Sequence, residues 1–113
     1  MARLLVAEDD EAVRAFLEKA FELDGHDVRT AEDGALALEV LTEEGGAFDL
    51  LLTDIQMPVM DGIALALSAV RDFPDLPILL MTGYANQRER AHGLDALVEE
   101  SAAKFASENN ITP

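Results

Sequence analysis

The sequence predicts an α/β fold: a doubly wound parallel sheet with helices on both faces. Three observations carry that expectation. Short apolar runs at residues 4–7, 50–52 and 78–81, with a weaker one at 28–31, read as strands covered on both sides. Stretches with apolar residues three and four apart separate them, as helices require. Glycine, proline and Asp-Gly clusters punctuate the changes of pattern. Strand and helix alternate up to a fourth strand, and right-handed crossovers turn that order into a parallel sheet.

In chain order, Leu4, Leu5, Val6 and Ala7 make the first strand, and Glu8-Asp9-Asp10-Glu11 follow at once. Val13, Phe16, Leu17, Ala20 and Phe21 then set a helix of about three turns. Asp10 or Glu11 lies near its start, where acids suit the helix dipole, and Gly25 ends it. After the weaker second strand, Glu32-Asp33-Gly34 turns into a helix bearing Leu36, Leu38, Val40 and Leu41, which stops at Gly45-Gly46. The run Leu50, Leu51, Leu52 is the central strand. It breaks off at Asp54, and Pro58 with Asp61-Gly62 marks a turn into a third helix carrying Ile63, Leu65, Leu67 and Val70. Phe73-Pro-Asp-Leu-Pro77 interrupts, and the fourth strand runs up to Thr82-Gly83. After Tyr84 the pattern changes. Between Asn86 and Asn109 nothing resembles a strand, whereas Leu94, Leu97, Val98, Ala102 and Phe105 share one helical face. Residues 1–113 are expected to form one domain with an atypical segment at 93–113.

The chain of 113 residues, half of them apolar, suffices for one modest core. With no cysteine it has neither disulfides nor a thiolate metal site. No apolar run is long enough to cross a bilayer, and acids follow the first few residues too soon for a signal peptide, so a cytoplasmic location is expected. The net charge of −15 would repel nucleic-acid phosphates and anionic membranes, so neither is an expected direct partner.

Chemistry concentrates at two carboxylate clusters: Glu8 and Asp9 after the first strand, Asp54 after the third. Taken alone, Asp54 needs no role beyond capping a turn. In a doubly wound sheet, however, the first and third strands can be neighbours where strand order reverses, and ligands collect at that edge. Acids so crowded take up a proton or a cation. Magnesium suits an all-oxygen set that keeps several waters. His26 and His92 are isolated in the sequence and expected to face solvent, so they offer no softer site. A cation beside a carboxylate can serve structure alone, or it can help the carboxylate take a phosphoryl group. Thr82 could then offer a hydroxyl to a phosphate oxygen, and a nearby lysine would stabilise developing charge.

Leu4-Leu-Val-Ala-Glu-Asp-Asp-Glu11, Asp54-Ile-Gln-Met-Pro-Val-Met-Asp-Gly62 and Pro77-Ile-Leu-Leu-Met-Thr-Gly83, in that order, closely resemble the receiver domain of two-component response regulators. The resemblance covers residues 1 to about 92. It implies a flavodoxin-like sheet in the order 2-1-3-4-5 with five helices. It further implies that Asp54 is phosphorylated by a phosphohistidine of a sensor histidine kinase or a histidine phosphotransfer protein. Glu8 and Asp9 match the acidic pair that holds magnesium, Gln56 the position whose backbone carbonyl completes the metal shell, and Thr82 the switch hydroxyl. The chain is thereby expected to be a signalling switch and not an enzyme, acting on a downstream protein that the sequence does not identify.

The chain departs from the family near its end. Lys104 stands at the spacing expected for the family's active-site lysine, but Phe105 replaces the usual proline, and Ser101 stands where an aromatic switch residue is often found. A Lys104–Phe105 bond should be trans, since a cis bond without proline costs about 2.5–4 kcal/mol. Tyr84 is either a substitute aromatic switch or a loop residue. Residues 97–104 form a poor last strand with Lys104 at the site, or residues 93–108 form a helix with Lys104 on the surface; the shared apolar face favours the helix. Sheet surface left bare would be covered by that segment or by a second chain, as a homodimer or segment swap. Two rival functions follow: a binding module of this fold that is never phosphorylated, and a magnesium-dependent phosphotransferase or phosphatase of another α/β family.

Overall fold

The structure, a computed structural model, describes residues 1–81. The alternation read from the sequence becomes β1 (Arg3–Ala7), α1 (Glu11–Leu23), β2 (Asp27–Ala31), α2 (Gly34–Glu43), β3 (Leu50–Asp54), α3 (Gly62–Asp72) and β4 (Ile78–Met81). All strand pairs are parallel and the order is β2-β1-β3-β4, so the doubly wound sheet is as expected. A fifth strand or fifth helix, Thr82, Tyr84, His92 and Lys104 all fall outside the described residues.

Alternation along each strand divides the core in two. Leu5, Ala7 and Leu51 point to the larger half, where Ala37 and Leu41 of α2 and Leu65, Ala66 and Ala69 of α3 meet them. Leu4, Val6, Leu50 and Leu52 point to the smaller half, against Leu17 and Phe21 of α1. Burying each such leucine contributes roughly 1.5–3 kcal/mol. Among the described residues α1 has no fully buried residue, and its Phe16 is 70% exposed, whereas α2 and α3 each bury several.

Aspartates start all three helices of the described residues. Asp10, Asp33 and Asp61 each accept from the backbone N–H three residues on (Val13, Leu36 and Ala64), satisfying a donor that the first turn leaves unpaired. Glycines end two of them. Gly25 (φ +85°) follows α1, and the N–H groups of Gly25 and His26 donate back to the carbonyls of Glu22 and Phe21. Gly45 and Gly46 close α2 in the same way onto Thr42 and Leu41.

The first of these turns corrects the expectation for His26. It is half-buried rather than solvent-facing. Its Nδ1 accepts the Ala2 N–H at 3.0 Å, and its ring stands edge-on to Phe21 at 6.3 Å between centroids. The helix-ending turn folds the imidazole back over α1, a contact that sequence spacing does not reveal.

Candidate functional site

Because the sheet is parallel, β1 and β3 end on one rim, with Ala7 opposite Thr53. The residues that follow Ala7, Glu8 and Asp9, therefore face the last residue of β3, Asp54. Their carboxylates come together with one oxygen from each within 4.8 Å of the others. Glu8 is buried, Asp9 exposed and Asp54 between the two, so the cluster is anchored in the fold and open to solvent on one side.

Local backbone bonds set this geometry. The Glu8 N–H donates to Ala31 O at 3.0 Å, which extends the β1–β2 ladder one residue past the strand. Glu8 Oε1 accepts the Asp10 N–H at 3.0 Å. The Arg14 guanidinium, one turn into α1, donates to the carbonyls of Glu8 at 2.9 Å and Asp9 at 3.3 Å, fixing the acidic turn from the other side. Just past β3 the backbone N–H groups of Gln56 and Ile55 favour the ionised Asp54 carboxylate, and the Ile55 N–H donates to Met81 O at 3.2 Å, continuing the β3–β4 ladder. The buried Thr53 hydroxyl donates to Asp54 O at 2.9 Å.

Electrostatics follow from burial. Desolvation is the main cause that pushes Glu8 from an ordinary 4.5 up to about 6, against the hydrogen bond from Asp10, and the charges of Asp54 and Asp9 add to it. Burial likewise raises Asp54, opposed by the Gln56 and Ile55 N–H groups and reinforced by the Asp9 charge. Carboxylates that repel one another, two of them partly or fully removed from solvent, lower their energy by sharing a hard cation. The oxygen-only donor set fits magnesium, and the exposed side leaves space for the waters it keeps.

The structure thus brings together Glu8, Asp9 and Asp54. Gln56 turns its backbone N–H toward Asp54, while its side chain is exposed. Sequence reading missed Arg14, Asp10 as a donor to Glu8, and the buried Ile55. Asp10 was visible as a helix-start signal. Arg14 was not, because its partners are backbone carbonyls that no side-chain pattern encodes.

The sequence profile of the response regulator receiver domain matches residues 4–112. The chain belongs to the response regulator receiver family. Such receivers are signalling modules of two-component systems. This receiver is 53% identical over 85 residues to the response regulator receiver protein CpdR of Brucella abortus (strain 2308), covering 75% of the chain and 69% of CpdR. It is 37% identical over 107 residues to the response regulator MprA of Mycobacterium ulcerans (strain Agy99), covering 94% of the chain. The chain spans 45% of that MprA, less than half its length. Among solved structures it is similar to the response regulator TrrA of Thermotoga maritima in complex with Mg(2+)-BeF, at 32% identity and a TM-score of 0.71, covering 79% of this chain and 76% of that one. TrrA in complex with the histidine kinase ThkA gives 33% identity and a TM-score of 0.68, covering 75% and 72%. Among the described residues no helix of this receiver is long and apolar enough to cross a membrane.

Proposed function

We propose that this receiver is a phosphorylation switch in which Asp54 accepts a phosphoryl group from the phosphohistidine of a sensor histidine kinase or a histidine phosphotransfer protein. An Asp54 carboxylate oxygen attacks phosphorus, and the bond from phosphorus to the donor's imidazole nitrogen breaks. The electron pair stays on that nitrogen, which takes a proton from solvent. Glu8, Asp9 and Asp54, with the backbone carbonyl of Gln56, would hold magnesium, which when bound offsets the negative charge of the incoming group. The Gln56 and Ile55 N–H groups favour the ionised form of the nucleophile. Thr82, the next residue after β4, is assigned as the switch hydroxyl. Lys104 would steady the transferred group in the reading that brings it to the site. Residues 1–113 act as one domain in the cytoplasm, and the phosphorylated form signals through protein–protein contacts.

The observation that carries this reading is the convergence of Glu8, Asp9 and Asp54, with ligand oxygens within 4.8 Å, on the rim where β1 and β3 end. The magnesium-containing TrrA structure and the ThkA–TrrA pair support the cation and the kinase. Incubation with acetyl phosphate and magnesium, followed by intact-mass measurement, tests it. A single phosphoryl adduct, stable in acid, labile in base and absent from Asp54→Asn, is the expected result. A second reading, a binding module that is never phosphorylated, is favoured by Phe105 standing where the family has proline. It predicts no adduct, even with a kinase that labels other receivers.

A further inference from the structure

The loop that leaves Asp54 holds a tight reversal. The Met60 N–H donates to Pro58 O at 2.7 Å, closing a three-residue turn around Val59. Val59 is held at φ +67° and is the one non-glycine residue with positive φ among the described residues. Turns of this hand are rare and strained, and a β-branched residue is among the least suited to them. The side chain is 86% exposed, so no packing of its own offsets the strain.

Both ends of the loop are fastened. At its start, the Ile55 N–H donates to Met81 O at 3.2 Å, and the Gln56 N–H favours the ionised Asp54 carboxylate. Near its end, Gly62 N–H donates to Ile55 O at 2.8 Å, and Met60 O accepts the Gly34 N–H at 3.0 Å. Gly34 is the first residue of α2, whose N–H has no partner within the helix. The fit there is close: a Cβ on Gly34 would lie 2.3 Å from Met60 O.

We propose that the Pro58–Val59–Met60 turn is a strained lever that couples the state of Asp54 to the first turn of α2 through the Met60–Gly34 hydrogen bond. The inference rests on Asp54 being the site of phosphoryl chemistry. Two arrangements compete. In one, the Met60–Gly34 bond holds Val59 in its unfavourable conformation. In the other, Val59 relaxes to negative φ, the turn reverses its hand, and the Gly34 N–H is released. Strain at Val59 makes the second arrangement accessible, and a bonded state of Asp54 selects between them because the loop begins at the next residue, Ile55, whose carbonyl also accepts the Gly62 N–H. Occupation of the site anchors the start of the loop and favours the closed arrangement, so the responding surface includes the start of α2 with its exposed Leu36.

Amide hydrogen exchange followed by NMR on the full chain tests the lever, with magnesium and beryllium fluoride as the probe. In the wild type the probe is expected to slow Gly34 exchange about tenfold, the scale of one strained residue. Val59→Asn, which tolerates positive φ, is expected to slow Gly34 exchange to a similar degree without the probe, and the probe then adds less than about threefold. Ile55 and Gln56 should respond to the probe in both proteins. If those two amides respond while Gly34 stays within about twofold of its probe-free rate, the lever is wrong and the site reading survives. If Val59→Asn leaves probe-free Gly34 exchange unchanged, strain is not borne by that bond and the lever is likewise wrong. If no amide near Asp54 responds, the site reading fails and the lever with it.

Discussion

Glu8 is the residue at which fold and function pull in opposite directions. It is 5% exposed and its acidity is shifted from an ordinary 4.5 to about 6, chiefly by burial. A carboxylic acid with a raised folded pKa makes the folded protein bind more protons than the unfolded chain between those two values. Without a cation, stability therefore falls as pH rises from about 4.5 through about 6, by at most about 2 kcal/mol from this group. Urea unfolding at pH 4.5, 5.5 and 7 in the presence of chelator should show that slope, and Glu8→Gln should flatten it. Magnesium requires the ionised form, so its affinity should rise over the same window, as isothermal titration would measure. Asp54→Asn removes one of the mutually repelling charges. It is expected to stabilise the metal-free fold by about 1 kcal/mol while abolishing the phosphoryl adduct, an opposition that a merely structural aspartate would not show.

At the scale of elements, the described strands and helices were legible because each repeats a simple rule: apolar runs for β1 and β3, three-four spacing for α1 to α3, aspartate at each helix start and glycine at the end of α1 and α2. The turn at Val59 was not. Nothing in Met57-Pro-Val-Met60 marks a positive φ, since the conformation is imposed by bonds to Gly34 and Ile55 that lie far off or across the loop. Glycines differ in the same way. Gly25 needs its positive φ but has open space around it, whereas a Cβ on Gly62 would meet Asp54 O at 2.0 Å. Gly25→Ala should cost about 1 kcal/mol, and Gly62→Ala about 3 kcal/mol or more, with Asp54 displaced as well. Urea midpoints separate the two, and adduct yield should fall only for the second.

Across the whole molecule, the site could be read before the fold was seen because a parallel sheet sends all strand ends to one rim. Once residues 4–7 and 50–52 are taken as neighbours, Asp9 and Asp54 have to meet. Other features had no such rule behind them: the Arg14 contacts and the Ala2–His26 bond depend on how helix and turn pack, not on periodicity. The unequal halves of the core carry a prediction of their own. Leu41→Ala, fully buried in the half under α2 and α3, should cost about 3–4 kcal/mol, and Leu17→Ala, partly buried on α1, about half as much, both read from chemical denaturation.

The opposite rim is held by different chemistry: Arg3 pairs with Asp27 at 3.5 Å and Glu44 at 3.3 Å, and Arg29 joins Glu44 at 3.0 Å. Four residues of β1, Leu4 to Ala7, separate Arg3 of this ionic latch from Glu8 of the acidic pocket, a span of roughly 17 Å. Stability and signalling can thus be tuned from two poles of one slab. A dye fixed at Asp27 would report unfolding while leaving cation uptake at the far pole untouched, and raising the salt concentration would loosen one pole before the other.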